Sequence, residues 1–470
     1  MSTSKLIITS LGIRGETGHL IPNLALEFAE AFGTLIGKGK KVLVGRDTRI
    51  TSRMLRNEVI NGLISVGVNV LNLGVVPSPC LLFNIRHCKD IAGGVMITGS
   101  HIPEEWNGIK FIDGKTMTYI TGETLEKIKK IYETKSFNFV NYTELGKISK
   151  YEGISSYLHS ILDNVDVQVI KKKKFKIVLD PVAGCGMTVT PQLFIKMRCK
   201  TQIINDSLNS SYPYFPRKIE PRPENLTLLS EVVANSGADI GFAHDLDADR
   251  VVIAEEGTGK ILDEDIGLAL IVKDYLETHD NCTVVVNVAS SKIFYDLAKK
   301  YGARYEEVPV GEVFVATRLN ELLRENVDAI GGEGSCGGIM IPAFNNARDG
   351  PMACAKILEI LAKSGMTISQ VVKKLPKKYY MIKTSIAYPG EKYYTIIEEL
   401  KRKYSQYEIS TIDGVKFVNK SVWFLIRASG TEPIMRIFVE TDKESKTQKM
   451  AEEILEFIHE IITENKEKQN

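Results

Sequence analysis

Short apolar runs alternate with helix-period segments along most of this chain, and that alternation restricts it to β-α-β units built on a mostly parallel sheet. Residues 42–44 read as a strand, 51–66 as a helix capped by Thr51 or Ser52, and 68–73 as the next strand. A helix entered at Pro79 then leads to a strand over 92–97. The cycle restarts after Lys171-Lys172-Lys173-Lys174, a basic run that reads as a solvated edge near a boundary. Strands are expected at 175–179, 201–204 and 239–243, and a third cycle offers 283–288, a helix over 291–300 and an apolar run ending at Ala329-Ile330. Cycles of similar length suggest a repeated unit, although the segments share no close identity. Beyond Leu375 the character changes. Apolar segments at 383–388 and 422–426 flank a helix, 435–440 is another strand, and a long amphipathic helix closes the chain, as in a smaller α+β domain with an antiparallel sheet.

With 470 residues the chain exceeds what a single core organises, so three or four domains are expected. Its formal net charge of +2 gives bulk electrostatics no pull toward nucleic acid or an anionic membrane. No apolar run approaches the ~18 residues of a membrane span, and the N-terminus lacks an uninterrupted signal-peptide core. Seven cysteines without a C-x-x-C pair read as reduced thiols, mostly packing groups, so a cytoplasmic protein is expected. Whether it is a monomer or a homo-oligomer is left open.

Chemistry concentrates in a few loops. In Gly93 through Pro103 an apolar strand runs into a glycine turn presenting Ser100 beside His101, and Lys110 follows within about ten residues, so hydroxyl, imidazole and ammonium come together. Far away, Asp245-Leu246-Asp247-Ala248-Asp249-Arg250 places three carboxylates at alternate positions, hard oxygen ligands suited to Mg²⁺. An EF-hand is excluded, because Arg250 occupies the sixth position, where that loop needs glycine. A phosphatase of the haloacid dehalogenase kind, with Asp245 as nucleophile and Asp247 as acid/base, stays open on this pattern. Arg427-Ala428-Ser429-Gly430-Thr431 between two apolar strands offers a planar cation, two hydroxyls and backbone N–H groups to a phosphate dianion. In the glycine-rich stretch 331–338, Glu333 and Ser335 are candidates to hold sugar hydroxyls, while Cys336, with no histidine nearby, reads as a bystander. Gly114-Lys115-Thr116 imitates the end of a Walker A loop, but Ile109 stands where its first glycine must be.

Taken together, and in this order along the chain, these loops resemble the α-D-phosphohexomutases: phosphoglucomutases, phosphomannomutases and phosphoglucosamine mutases. Thr98 through Pro103 with Asn107-Gly108-Ile109-Lys110 is similar to the active-site serine segment, Asp245 to Arg250 to the metal loop, Glu333 and Ser335 to the sugar loop, and Arg427 through Pro433 to the phosphate-binding loop. Ile102 departs from the usual asparagine, Leu246 and Ala248 from glycines, and Ser335-Cys336-Gly337 from a histidine-bearing loop; Arg348-Asp349-Gly350 is closer to archaeal-type members. The resemblance implies three related α/β domains (1–150, 151–256, 257–375) and a smaller α+β domain (376–470) around a central cleft. It implies reversible interconversion of hexose 1-phosphate and hexose 6-phosphate through phospho-Ser100 and a hexose 1,6-bisphosphate, with Mg²⁺ on Asp245, Asp247, Asp249 and the phosphoserine. His101 and Lys110 become candidates to take the hydroxyl's proton, with Arg14 and Arg250 supporting the transferring group. Arg427, Ser429, Gly430 and Thr431 would anchor the substrate's resident phosphate. A Mg²⁺-dependent phosphosugar phosphatase and a non-catalytic phosphosugar-binding protein are the alternatives.

Overall fold

The structure is a computed structural model that describes residues 6–9, 12–206, 215–420, 422–428 and 434–467. Ser429, Gly430 and Thr431 lie outside the described residues, as does the Ser335 side chain. Among the described residues four sheets carry the architecture, and three of them share one plan.

In the second sheet the order is Lys200–Ile203, Lys176–Asp180, Ile240–His244, Val251–Ala254. The first three strands run parallel and the last returns antiparallel. The third sheet repeats this with Arg304–Val308, Thr283–Asn287, Ala329–Glu333 and Gly338–Met340. At the centre of the eight-stranded first sheet, Asn69–Val75, Lys41–Arg46, Ile91–Ile97 and Trp106–Asp113 follow the same order and directions. Strands Gly12–Glu16 and Leu6–Thr9 extend it beyond Trp106–Asp113. The repetition expected from periodicity is therefore a repetition of topology. In each unit the chain leaves the carboxyl end of its third strand, makes a loop and returns antiparallel. Those three loops are the serine, metal and glycine-rich segments, at the sheet ends where open α/β folds bind ligands.

The fourth sheet is wholly antiparallel, in the order Tyr380–Ala387, Ile434–Thr441, Val422–Ala428, Val415–Asn419, Glu408–Ser410. Helices Tyr393–Lys403 and Glu444–Glu467 cover it. Its two short strands at 408–410 and 415–419 were not anticipated, because a hairpin of three and five residues leaves little period-2 signal.

One local expectation needs correction. The helix Ile50–Ser65 begins after Arg49 without a side-chain cap. The Ser52 hydroxyl instead donates to Asp47, and Thr51 accepts from Asn107, so tertiary contacts claim both hydroxyls. The lysine run forms the last turn of the helix Val167–Lys173, where its charge suits the carboxyl end of the helix dipole.

One core cluster runs from Leu43 and Leu81 through Phe194 and Phe242 to Leu268 and Phe294, binding the first three units together. Each such side chain contributes roughly 1.5–3 kcal/mol on burial. A smaller cluster of Val288, Ala289, Trp423 and Leu425 seats the fourth unit on the third. Glu440 fastens the same seam, accepting from the Lys292 N–H at 2.8 Å and from Trp423 Nε1 at 2.7 Å.

Candidate active site

Ser100 sits at φ 51°, a left-handed conformation that a non-glycine residue holds only when its surroundings impose it. The imposing group is Arg49, only 1% exposed. Its guanidinium donates to the carbonyls of Ser100 (3.0 Å), Ile102 (2.7 Å) and Pro103 (2.7 Å), and Nε reaches Asp47 at 3.2 Å. Asp47 also accepts from the Gly99 N–H. A side chain at Gly99 would come within 2.7 Å of the Arg49 guanidinium, which explains why the turn carries glycine there. Neither Arg49 nor Asp47 was singled out from sequence. The available signal was Arg46-Asp47-Thr48-Arg49, a cluster of charge immediately after a buried strand.

The turn delivers the Ser100 hydroxyl to a buried polar centre. Its Oγ lies 3.3 Å from Asp245 Oδ2 and 3.3 Å from His101 Nδ1. That same Nδ1 lies 2.9 Å from Nη2 of Arg250, a group able only to donate, so the imidazole accepts there and keeps its proton on Nε2. Burial, aided by Arg250, Arg14, Arg348 and Lys110, holds the His101 pKa well below its ordinary value, so the ring is neutral.

Asp245, Asp247 and Asp249 are each fully buried, with one ligand atom apiece lying within 4.8 Å of the others. Leu246 turns away into an apolar cluster with Val182 and Ile219, and Ala248 adopts φ 53°, the glycine-like backbone that closes the loop. One oxygen of every aspartate is engaged. Asp245 faces Ser100, Asp247 accepts from Ser78 Oγ at 2.6 Å, and Asp249 is held by Arg348. The other oxygen, Oδ1 in all three, carries no hydrogen bond. Three buried carboxylates that converge, each keeping one oxygen without a hydrogen bond, are a costly arrangement without a cation and a natural one with it, so the residues fit a hard divalent ion. The electrostatics agree. Burial and the neighbouring Asp249 and Asp247 push the Asp245 carboxyl well above the ordinary range, whereas Lys110, Ser78 and the arginines outweigh burial at Asp247 and keep it low.

Lys110 Nζ stands 3.6 Å from Asp247 Oδ2 and 5.0 Å from the Tyr119 ring centroid. Arg14 projects from Gly12–Glu16, paired with Gly108, and its Nε carries no hydrogen bond. Ser100, His101, Lys110, Arg250 and the three aspartates thus occupy one centre, with Arg14 near enough to feel Asp247 and Arg250.

The sugar-loop and phosphate-loop residues present a different picture. Glu333 is 5% exposed and already occupied, accepting from Asn287 Nδ2 and the Gly311 N–H through Oε1 and from Arg348 through Oε2. Cys336 is half-buried and its thiol is pushed up to about 12, consistent with a bystander. Arg427 donates through Nε to Asp413 at 2.8 Å, and Asp413 also accepts from the Val310 N–H, tying the fourth unit to the third. Ser78, Arg348 and Asp413 escaped the sequence reading as site residues, since single polar residues among helices and turns leave no pattern.

Comparison with known proteins identifies the family. Residues 6–139, 155–259 and 263–379 match the phosphoglucomutase/phosphomannomutase alpha/beta/alpha domains I, II and III, and residues 385–457 match the C-terminal domain of that family. A phosphoglucomutase/phosphomannomutase of Thermococcus kodakarensis is 36% identical over 460 residues, covering 96% of this chain and 98% of that one. A phosphoglucosamine/phosphogalactosamine mutase of Sulfurisphaera tokodaii is 36% identical over 455 residues, covering 95% and 98%. In fold, the chain superposes on a phosphoglucomutase/phosphomannomutase family protein of Burkholderia thailandensis with a TM-score of 0.82 at 23% identity, covering 98% of both chains. The chain belongs to the phosphoglucomutase/phosphomannomutase family, whose members are phosphohexose mutases.

Proposed function

We propose that this isomerase interconverts hexose 1-phosphate and hexose 6-phosphate with Ser100 as the phosphoryl carrier, on sugars drawn from the glucosamine, mannose and glucose phosphates. The observation that supports this most is the strained Ser100 turn, which aims a buried hydroxyl at three carboxylates with unsatisfied oxygens. Asp245, Asp247 and Asp249 would hold Mg²⁺ together with an oxygen of phospho-Ser100, and the ion would offset phosphoserine charge and polarise phosphorus.

The remaining chemistry falls to this chain's own groups. Arg250 and Arg14 face the position that a phosphoryl group on Ser100 occupies and balance its charge, near −2. Neutral His101 accepts from Arg250 through Nδ1 and so orients that guanidinium beside the Ser100 oxygen. Lys110 takes the proton of the attacking sugar hydroxyl. Arg427, with Ser429, Gly430 and Thr431, anchors the phosphate already on the sugar, and Glu333 with Ser335 reads the sugar hydroxyls. The hexose 1,6-bisphosphate then turns over within the cleft so that its second phosphate meets Ser100. Motion of the unit beyond 375 about the connection preceding Tyr380–Ala387 permits this. The divisions at 150/151, 256/257 and 375/376 belong to the same reading.

Ser100→Ala tests it. Intact mass of wild type should show one phosphoryl group mapping to Ser100, and the variant should lose both that adduct and sugar-phosphate isomerisation in a coupled assay. A phosphatase working through Asp245 would instead keep releasing inorganic phosphate in Ser100→Ala, and undiminished isomerisation there overturns the proposal. Lys110→Met with near-normal turnover would remove Lys110 from its role. A panel of glucosamine, glucose and mannose phosphates ranks the substrates.

A further inference from the structure

Arg348 precedes the helix Gly350–Ser364 and is 6% exposed. Its guanidinium lies between the aspartate loop and the glycine-rich loop. Nη2 holds Asp249 Oδ2 and lies 3.3 Å from Glu312 Oε2. Nη1 donates to Glu333 Oε2 at 2.8 Å and to Cys336 Sγ at 3.2 Å. One planar cation therefore spans from a carboxylate of the aspartate triad to the carboxylate of the glycine-rich loop, with no side chain between. A side chain at Gly338 would come within 2.4 Å of Arg348, so the return strand is shaped to admit it.

We infer that Arg348 is a positioning residue that fixes the Asp249 carboxylate within the triad and couples metal binding there to the pose of Glu333. The inference rests on the reading of Asp245, Asp247 and Asp249 as the metal ligands. Geometry favours orientation over simple charge. Arg348 takes Asp249 by Oδ2 and leaves Oδ1 without a hydrogen bond, 3.8 Å from Arg250 Nε, in a triad whose ligand atoms lie within 4.8 Å of one another. Groups that orient a ligand in this way are commonly worth about 10–100-fold in metal affinity. A lysine keeps the positive charge but cannot fork to two carboxylates on separate loops.

The two possibilities have opposite signs. If Arg348 acted only through its field, removing a cation near the triad would tighten divalent binding. If it orients Asp249, removal weakens binding. Mn²⁺ titration by calorimetry of the chelator-stripped full-length protein, with the state of Ser100 checked by intact mass, separates them. Arg348→Lys and Arg348→Gln should each weaken Mn²⁺ by about 10–100-fold. Glu333→Gln, a change on the glycine-rich loop, should weaken Mn²⁺ about 3–10-fold in the wild-type background and add nothing in Arg348→Gln, the signature of coupling through that residue. Melting temperatures close to wild type for Arg348→Lys and Glu333→Gln show that these effects are local. Affinity unchanged within about threefold, or tighter, in both Arg348 variants overturns the inference while leaving the metal site intact. Wild-type binding that Asp247→Asn does not reduce overturns the metal site itself, and the inference with it.

Discussion

Arg49→Met is the substitution that most directly probes how this fold makes a reactive serine. The side chain neutralises Asp47, which is fully buried, and donates to three carbonyls of the serine loop. Breaking a buried ion pair from one side typically costs 3–5 kcal/mol. Asp47 would retain the Ser52 hydroxyl and the N–H groups of residue 49 and Gly99, so about 3 kcal/mol, the lower end, is appropriate. The stranded carbonyls of Ser100, Ile102 and Pro103 add to this, but the loop relieves them by opening to water, so the terms do not sum. The loss falls locally, on the turn whose strained backbone Arg49 imposes. A reduction of about 3 kcal/mol in opening free energy corresponds to roughly 10²-fold faster amide exchange. The informative amides are those of Ile102 and Trp106, bonded to Gly99 and Pro103 within the loop. Hydrogen exchange by mass spectrometry on the peptide spanning 98–106 reads this directly. Turnover should fall by about 10²-fold or more as the hydroxyl loses its aim. Arg49→Lys, which keeps the charge but not the fork, should fall between. Exchange within threefold of wild type together with near-normal turnover in Arg49→Met would refute the assignment of Arg49 as the clamp.

Two further outcomes follow from the electrostatics. Burial raises the Asp265 carboxyl to about 7 from an unfolded value near 4, so the folded state binds the extra proton and Asp265's contribution to stability, fully present below pH ~4, is lost as pH rises through about 7. Asp265→Asn preserves an acceptor for the Ser291 N–H, so it should flatten the decline in melting temperature between pH 4 and 8 and raise stability at pH 8; an unchanged profile would show that Asp265 does not titrate in that window. If the aspartate triad holds Mg²⁺, the ion at about 100 times its Kd should stabilise the fold by roughly 2.7 kcal/mol and raise the melting temperature over that in chelator, and Asp247→Asn should abolish the difference. Identical melting of wild type with Mg²⁺ and with chelator would count against the site.

Much of this protein was legible before its structure, because the features concerned are local. Alternating short apolar runs and helix-period segments specify α/β units, since a buried parallel strand and its crossover helix each need their own periodicity. Three alternate aspartates followed by arginine, and a serine in a glycine turn, announce their chemistry within six residues. What only the tertiary structure decided are the contacts that make those motifs work. Arg49 grips a loop some fifty residues away, Ser78 reaches Asp247 across 169 positions, and Arg348 joins Asp249 to Glu333. Glu333, expected to read sugar hydroxyls, is held in place by Asn287, Gly311 and Arg348, partners that only the packed sheets bring to it. Ser52, expected as a helix cap, serves Asp47 instead. The physical reason is common to all of them: a buried ion pair or hydrogen bond depends on desolvation and on distances set when separate sheets pack together, and neither quantity is encoded in the spacing of residues along one chain segment.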